Sequence, residues 1–207
     1  MFSFDLQLFG GSGQALKKKH KQGFKPSPDL AHFNRTKKEE GIQKAATLAN
    51  PKYREEGHGN KYTSNCQRCI FAYELRRRGY DVEARSYKND GFNSRKTYTS
   101  TVTNNRVEHP MLNRATKVKA YIENQLKGWG DGSRAAVMVL WKGTRYGHAF
   151  IAENVKGTIR YIDPQSGNHN VSHYLETGKT KPYYTGLLRL DNAKFSSKID
   201  IAVKNSK

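Results

Sequence analysis

The stretch TSNCQRCIFAYELRRRGYDVEA, residues 63–84, decides how the chain folds. Ser64 followed three residues later by Gln67 is a capping-box pattern, in which two side chains satisfy orphan amides at a helix start. Gly79 ends the run. Arg76, Arg77 and Arg78 stand just before it, where the partial negative charge of a helix C-terminus favours cations. These signals predict a helix over 65–78. Cys66 then falls in the first turn, where unpaired amides and the helix dipole favour a thiolate over a thiol.

Downstream, Tyr80–Arg85 alternates like a short strand, and the polar stretch 88–109 reads as a loop over the site. KVKAYIENQLK (117–127) places Val118, Ile122 and Leu126 on one helical face. AAVMVLW (135–141) is continuously apolar, as a central strand would be. HAFIAENV (148–155) and TIRYID (158–163) flank Lys156-Gly157, a tight hairpin signal. Tyr183–Leu190 adds one more strand-like run. A helix first and an antiparallel sheet after it make the fold class α+β.

Upstream, residues 10–59 are rich in Gly, Lys, Pro and Asn. They offer little apolar surface to offset the entropy of ordering, so residues 1–60 are expected to be a flexible basic arm with one short helix near 37–48. Residues 61–207 form the expected catalytic domain. The 207 residues carry 37 Lys+Arg against 18 Asp+Glu, a net charge of +19. The arm holds 11 basic and 6 acidic side chains and the domain 26 and 12, so the excess is not confined to a tail. Such a surface steers acidic partners: nucleic acid, an acidic protein face or a membrane surface.

No stretch approaches the roughly 18 apolar residues that span a bilayer. The apolar opening residues precede the first lysines, the reverse of a secretory signal, so the chain is expected to be soluble. Cys66 and Cys69 are the two cysteines. Three residues apart, they cannot staple distant elements, and they fit a reducing compartment. The pair can equally be small core residues or half of a zinc site, although no second ligand pair with matching spacing accompanies it.

His148 opens a strand directly after Gly147, and Asp163 ends the next strand of the hairpin. The turn lies almost midway between them, so antiparallel pairing can set the carboxylate beside the imidazole, fixing its tautomer and stabilising its protonated form. Asp163 can also simply start the turn DPQSG, and a lone histidine can be a satisfied structural side chain. Asn65 and Gln165 are candidate oxyanion donors beside the backbone amide at the nucleophile.

Three blocks, NCQRCIFAYELRRRGYDVEA (65–84), GHAFIAEN (147–154) and YIDPQSG (161–167), resemble in that order the papain-fold toxins known as Tox-PL, which include bacterial effector glutamine deamidases. Together they anchor roughly residues 62–170. The resemblance implies a papain-like cysteine hydrolase fold, its Cys-bearing helix packed on an antiparallel sheet. It implies Cys66 as nucleophile, His148 as base, Asp163 as orienting acid and Gln165 as the glutamine of the last block, with no metal or organic cofactor. A direct papain alignment would instead select Cys69. The implied reaction is attack on a glutamine side-chain amide of a target protein, giving a thioester and ammonia, then hydrolysis to glutamate in a reducing cytoplasm.

The opening FSFDLQLFGG resembles the start of many phage structural proteins, which implies a phage-encoded protein delivered with or packaged in a particle, the basic arm docking it; a toxin would also have an immunity protein as a possible partner. Competing readings are peptide cleavage or transglutamination on the same fold, a papain-like module without catalysis, and a nucleic-acid-binding phage structural protein. The last is supported by the charge and by Tyr80, Tyr87, Tyr98, Tyr183 and Tyr184 among basic residues.

Overall fold

A computed structural model describes residues 30–36, 38–53, 61–88, 90, 92 and 100–207. In chain order the elements are α1 (Ile42–Ala49), α2 (Cys66–Arg77), β1 (Val82–Ala84), α3 (Ala115–Trp129), β2 (Arg134–Leu140), β3 (Gly147–Val155), β4 (Thr158–Ile162), β5 (Gly186–Arg189), α4 (Ile199–Ala202) and β6 (Val203–Asn205). Short 3₁₀ turns lie at Ser172–Leu175 and Pro182–Tyr184. The last of these takes the start of the strand expected over 183–190, because Pro182 presets its helical φ.

The main sheet is antiparallel in the order β4-β3-β2-β5, and β1 pairs with β6 in a separate ribbon. One apolar cluster joins α2 to Ala136, Ala149, Ile151, Ile162 and Leu188; the other joins Val118, Ile122 and Leu126 of α3 to Val137, Val139, Phe150 and Ala152. Alternate strand residues face opposite sides, so the sheet is held between α2 and α3. This is the expected α+β architecture.

The start of α2 differs from expectation. Asn65, not Ser64, is its N-cap, and no side-chain capping bond forms, so there is no capping box. Its end follows the sequence. Gly79 takes φ +81°, its N–H bonds Arg76 O at 2.9 Å, and Tyr80 N–H bonds Leu75 O at 3.0 Å, the paired bonds of a Schellman motif.

The 1–60 arm needs correction from residue 30 onward. Leu30 and Ala45, Ala46 and Ala49 of α1 are wholly buried in the α2 cluster, and Phe33 is nearly so. Glu40 of this segment pairs with buried Arg76 at 2.5 Å. Three alanines and two larger apolar anchors suffice, because α1 lies close against α2 and needs no wide apolar stripe. Residues 1–29 and 54–60 lie outside the described residues. Within the expected loop over 88–109, Asp90 pairs with Arg68 of α2, Phe92 packs edge-on to Phe71, and Glu108 bonds Leu187 of β5. Residues 89, 91 and 93–99 of that stretch are outside the description.

Candidate active site

α2 runs beside β3 in the same direction. Near its C-terminus Arg77 reaches Glu153 at 2.6 Å, and at its N-terminus the Cys66 thiol is hydrogen-bonded to His148. Cys66 is the first residue of α2, where the first backbone amides have no intrahelical partner. It is 4% exposed, whereas Cys69, one turn deeper, is 0% exposed.

The β3–β4 register pairs Ile151 with Ile162 and Val155 with Thr158. Continued by one residue it would set Asp163 opposite Phe150, so Asp163 and His148 are diagonal neighbours on one face. Their side chains meet, His148 Nε2 lying 3.1 Å from Asp163 Oδ2. Asp163 is ionised and only accepts, so Nε2 carries the hydrogen and Nδ1 is the nitrogen left for Cys66.

Asp163 also accepts from Ser166 Oγ at 3.0 Å, Tyr174 Oη at 3.2 Å and Gln165 N–H at 2.9 Å. The last bond is the side-chain turn expected of DPQSG. Turn former and imidazole partner are therefore one residue, Oδ1 taking the Gln165 amide and Oδ2 shared by His148, Ser166 and Tyr174. Burial alone would raise the Asp163 carboxyl, but the His148 charge and these hydrogen bonds outweigh it and hold it below its ordinary value. Burial alone would likewise favour a neutral His148. The charge and hydrogen bond of Asp163, with the contact from Cys66, outweigh that and push the imidazole up to about 10.

An aromatic wall surrounds the imidazole. Trp141 stacks on it with centroids 5.8 Å apart and planes 18° apart, and Tyr174 meets it edge-on at 5.7 Å. Trp141, Tyr174 and Ser166 are site residues that the sequence reading did not single out. Trp141 stood visibly at the end of the β2 run, and Ser166 inside the last block. Tyr174 carried no signal, because a 3₁₀ turn brings it in from outside the sheet.

Asn65 and Gln165 lie beneath this arrangement. Asn65 donates to Asn50 Oδ1 at 3.1 Å and to Arg85 O at 3.0 Å, which commits both hydrogens of its amide. Its oxygen accepts from Cys69 Sγ at 3.3 Å and from Gln165 Nε2 at 3.4 Å. Its side chain is thus a clamp joining α1, α2 and the 163–167 turn. With both amide hydrogens committed, the Asn65 side chain has no donor left for an oxyanion. Burial, with the nearby charges of Cys66 and Asp163, raises the Cys69 thiol well above the ordinary range. Among the described residues no group of three or more His, Cys, Asp and Glu side chains could hold a metal ion.

A thiol at a helix start, an imidazole beside an ionised carboxylate and an aromatic cover are groups that cysteine acyl transfer can use. A family model described as papain fold toxin 1, glutamine deamidase, matches residues 64–168, a span that contains Cys66, His148 and Asp163. The chain belongs to this family. No curated protein and no solved structure matches it. The match covers the Cys helix and the β3–β4 hairpin, and it makes this papain-fold toxin a cysteine-dependent hydrolase of the glutamine deamidase type in broad terms. No described helix is long and apolar enough to cross a membrane.

Proposed function

We infer that the protein deamidates a glutamine side chain of a target protein through a Cys66 thioester. The observation that carries this reading is the Cys66–His148–Asp163 series inside the span matched by the glutamine deamidase family. His148 takes the Cys66 proton, and the thiolate attacks the amide carbon. The backbone amide of Cys66 faces the developing oxyanion. His148 returns its proton to the departing nitrogen, which leaves as ammonia. It then draws a proton from water, which opens the thioester to glutamate and regenerates the thiol.

Asp163 keeps Nε2–H in place throughout and balances the imidazolium. Trp141 and Tyr174 limit water around the ring, which strengthens that pairing. Cys69 is the less suitable nucleophile, since its thiol is wholly buried and bonded to Asn65.

Incubating candidate target proteins with wild type and with Cys66→Ala, Cys69→Ala and His148→Ala variants, and reading intact mass and ammonia, tests the assignment. A gain of about one dalton per site with matching ammonia, abolished without Cys66 or His148 and kept without Cys69, is the expected result. Cleavage fragments would make the enzyme a protease, and a lysine adduct with ammonia would make it a transglutaminase. Dependence on Cys69 alone would move the nucleophile one turn along α2.

A further inference from the structure

Beyond Trp141 the molecule opens into a cavity of about 540 Å³ that the thioester chemistry does not use. It is built against the end of β2. Trp141 bridges to Thr180, Lys142 N–H bonds Lys179 O at 3.0 Å, and Lys181 N–H bonds Leu140 O at 2.8 Å. The ring that stacks on His148 therefore belongs to the strand end that forms one wall of the cavity.

The lining is one-sided in charge. Arg114, Lys142 and Lys181 contribute to it and no carboxylate does. Elsewhere the arginines of α2 are matched by Glu40, Glu74, Asp90 and Glu153. Among the described residues none of these three cations has an ion-pair partner. Lys181 Nζ reaches only the Thr144 carbonyl, at 3.3 Å.

Two more features point to an anionic occupant. Thr180, 4% exposed, lines the cavity and adds a hydroxyl to its wall. The first turn of α3 also borders the cavity with no side-chain cap and no acidic residue, so its free amides add positive potential. Tyr183 and Tyr184 close the rim, Tyr183 being 41% exposed.

We propose that this cavity is the specificity subsite for an acidic segment of the target protein, seating Asp or Glu side chains next to the glutamine held over Cys66. The proposal rests on the deamidase reading for the glutamine and on the cavity itself for the acid. A protein segment suits the site better than a nucleic acid strand, because its cations are confined to one cavity about 540 Å³ in volume next to the Trp141 strand end and not spread along a groove that would track a backbone. Three cations without ion-pair partners among the described residues, a threonine hydroxyl and phenolic rims match two or three carboxylates on a short peptide.

The test uses full-length Cys66→Ala protein, which binds without turnover, and two labelled peptides. Each has one glutamine, flanked by four glutamates in one and by four serines in the other. Fluorescence anisotropy near 0.15 M salt should show the glutamate peptide binding at least ten-fold more tightly. Adding Lys142→Glu and Lys181→Glu should abolish that preference, and the milder pair Lys142→Gln and Lys181→Gln should reduce it. The same charge change at exposed Lys127 and Lys194 should leave it in place. Equal binding of the two peptides overturns the proposal, and so does an equal loss from the Lys127/Lys194 pair, which would mean attraction by net charge alone. A labelled oligothymidine that binds more tightly than the glutamate peptide through Lys142 and Lys181 also overturns it, in favour of nucleic acid. Ammonia release by wild type is read separately. Its absence with the binding preference intact would remove the deamidase reading and leave the acidic subsite standing.

Discussion

At its N-terminus α2 offers an uncapped turn, one thiol and a neighbouring imidazole, whereas its C-terminal half is locked by ions. Glu74 is 0% exposed and accepts from Arg78 at 2.6 Å and Arg134 at 2.7 Å, while Arg76 holds Glu40 and Arg77 holds Glu153. Buried charges demand partners, so this half has one arrangement. In the N-terminal half Arg68 is also anchored, by Asp90, and Arg68 and Cys69 N–H bond Asn65 O, so the chemistry is confined to the first residue, Cys66. One helix thus separates anchoring from chemistry along twelve residues.

The largest effect that sharpens this contrast is at the reactive end. Cys66→Ala should lower turnover by at least about 10⁴-fold, because no other group present takes the nucleophile's place. Its thermal midpoint should stay near wild type, since only one small sulfur is removed. A large loss of stability in this variant would break the division between the two ends.

Glu74→Gln should do the reverse. It leaves Arg78 and Arg134 without their shared counter-charge in the interior, at a cost of about 3–5 kcal/mol in unfolding free energy. Denaturant titration reads it. Burial opposes the Glu74 charge, but Arg134 and Arg78 win and hold its carboxyl at about 2, against an ordinary 4.5. A depressed carboxylate stabilises the fold above its unfolded value, so wild type should lose stability as pH falls from about 4.5 through 2. Glu74→Gln should lack that acid-sensitive component.

Asp163→Asn falls next. Removing the charge while keeping the shape should let the His148 pKa return toward its ordinary value of 6.5 and lower kcat by roughly 10²-fold. The stability sign is opposite to that of Glu74. A raised histidine stabilises fully below about pH 6.5, and the contribution fades as pH rises through about 10. The variant should lose that alkaline dependence. An unchanged pH–rate profile would show that Asp163 only builds its turn.

The two halves of α2 were unequally legible. The reactive half could be read because its signals are local: Asn-Cys before a helical run, and a histidine and an aspartate placed symmetrically about a two-residue turn. The ionic half showed its three arginines plainly, and Glu74 stands four residues before Arg78 on the same helix, but spacing cannot reveal that Glu40 from the segment before α1, Glu153 from β3 and Arg134 from β2 come to meet them. The same limit hid the burial of α1. A segment of alanines, lysines and glycines has the composition of a flexible arm, and only close approach to α2 makes three methyl groups sufficient to seat it. Tyr174 was hidden for a related reason, since its partner Asp163 is eleven residues away through an irregular turn.

The smallest effect tests whether the reactive end depends on the far tip of its hairpin. Lys156 adopts φ 49° and Gly157 φ 85°, the left-handed pair that a two-residue hairpin turn requires. Both residues carry a Cβ, but the short polar side chain of asparagine can hydrogen-bond the local backbone and offset part of the left-handed penalty, so Lys156→Asn should stabilise the protein by about 0.5–1 kcal/mol. The Lys156 N–H to Asp131 bond at 2.6 Å is a backbone bond and survives the change. Turnover should be unaltered, because the paired residues from Val155–Thr158 to Ile151–Ile162 already set the register that brings Asp163 to His148. If kcat changed by more than about two-fold without a change in midpoint, the turn would be setting the imidazole's position. The catalytic end would then extend the length of β3 instead of stopping at the first turn of α2.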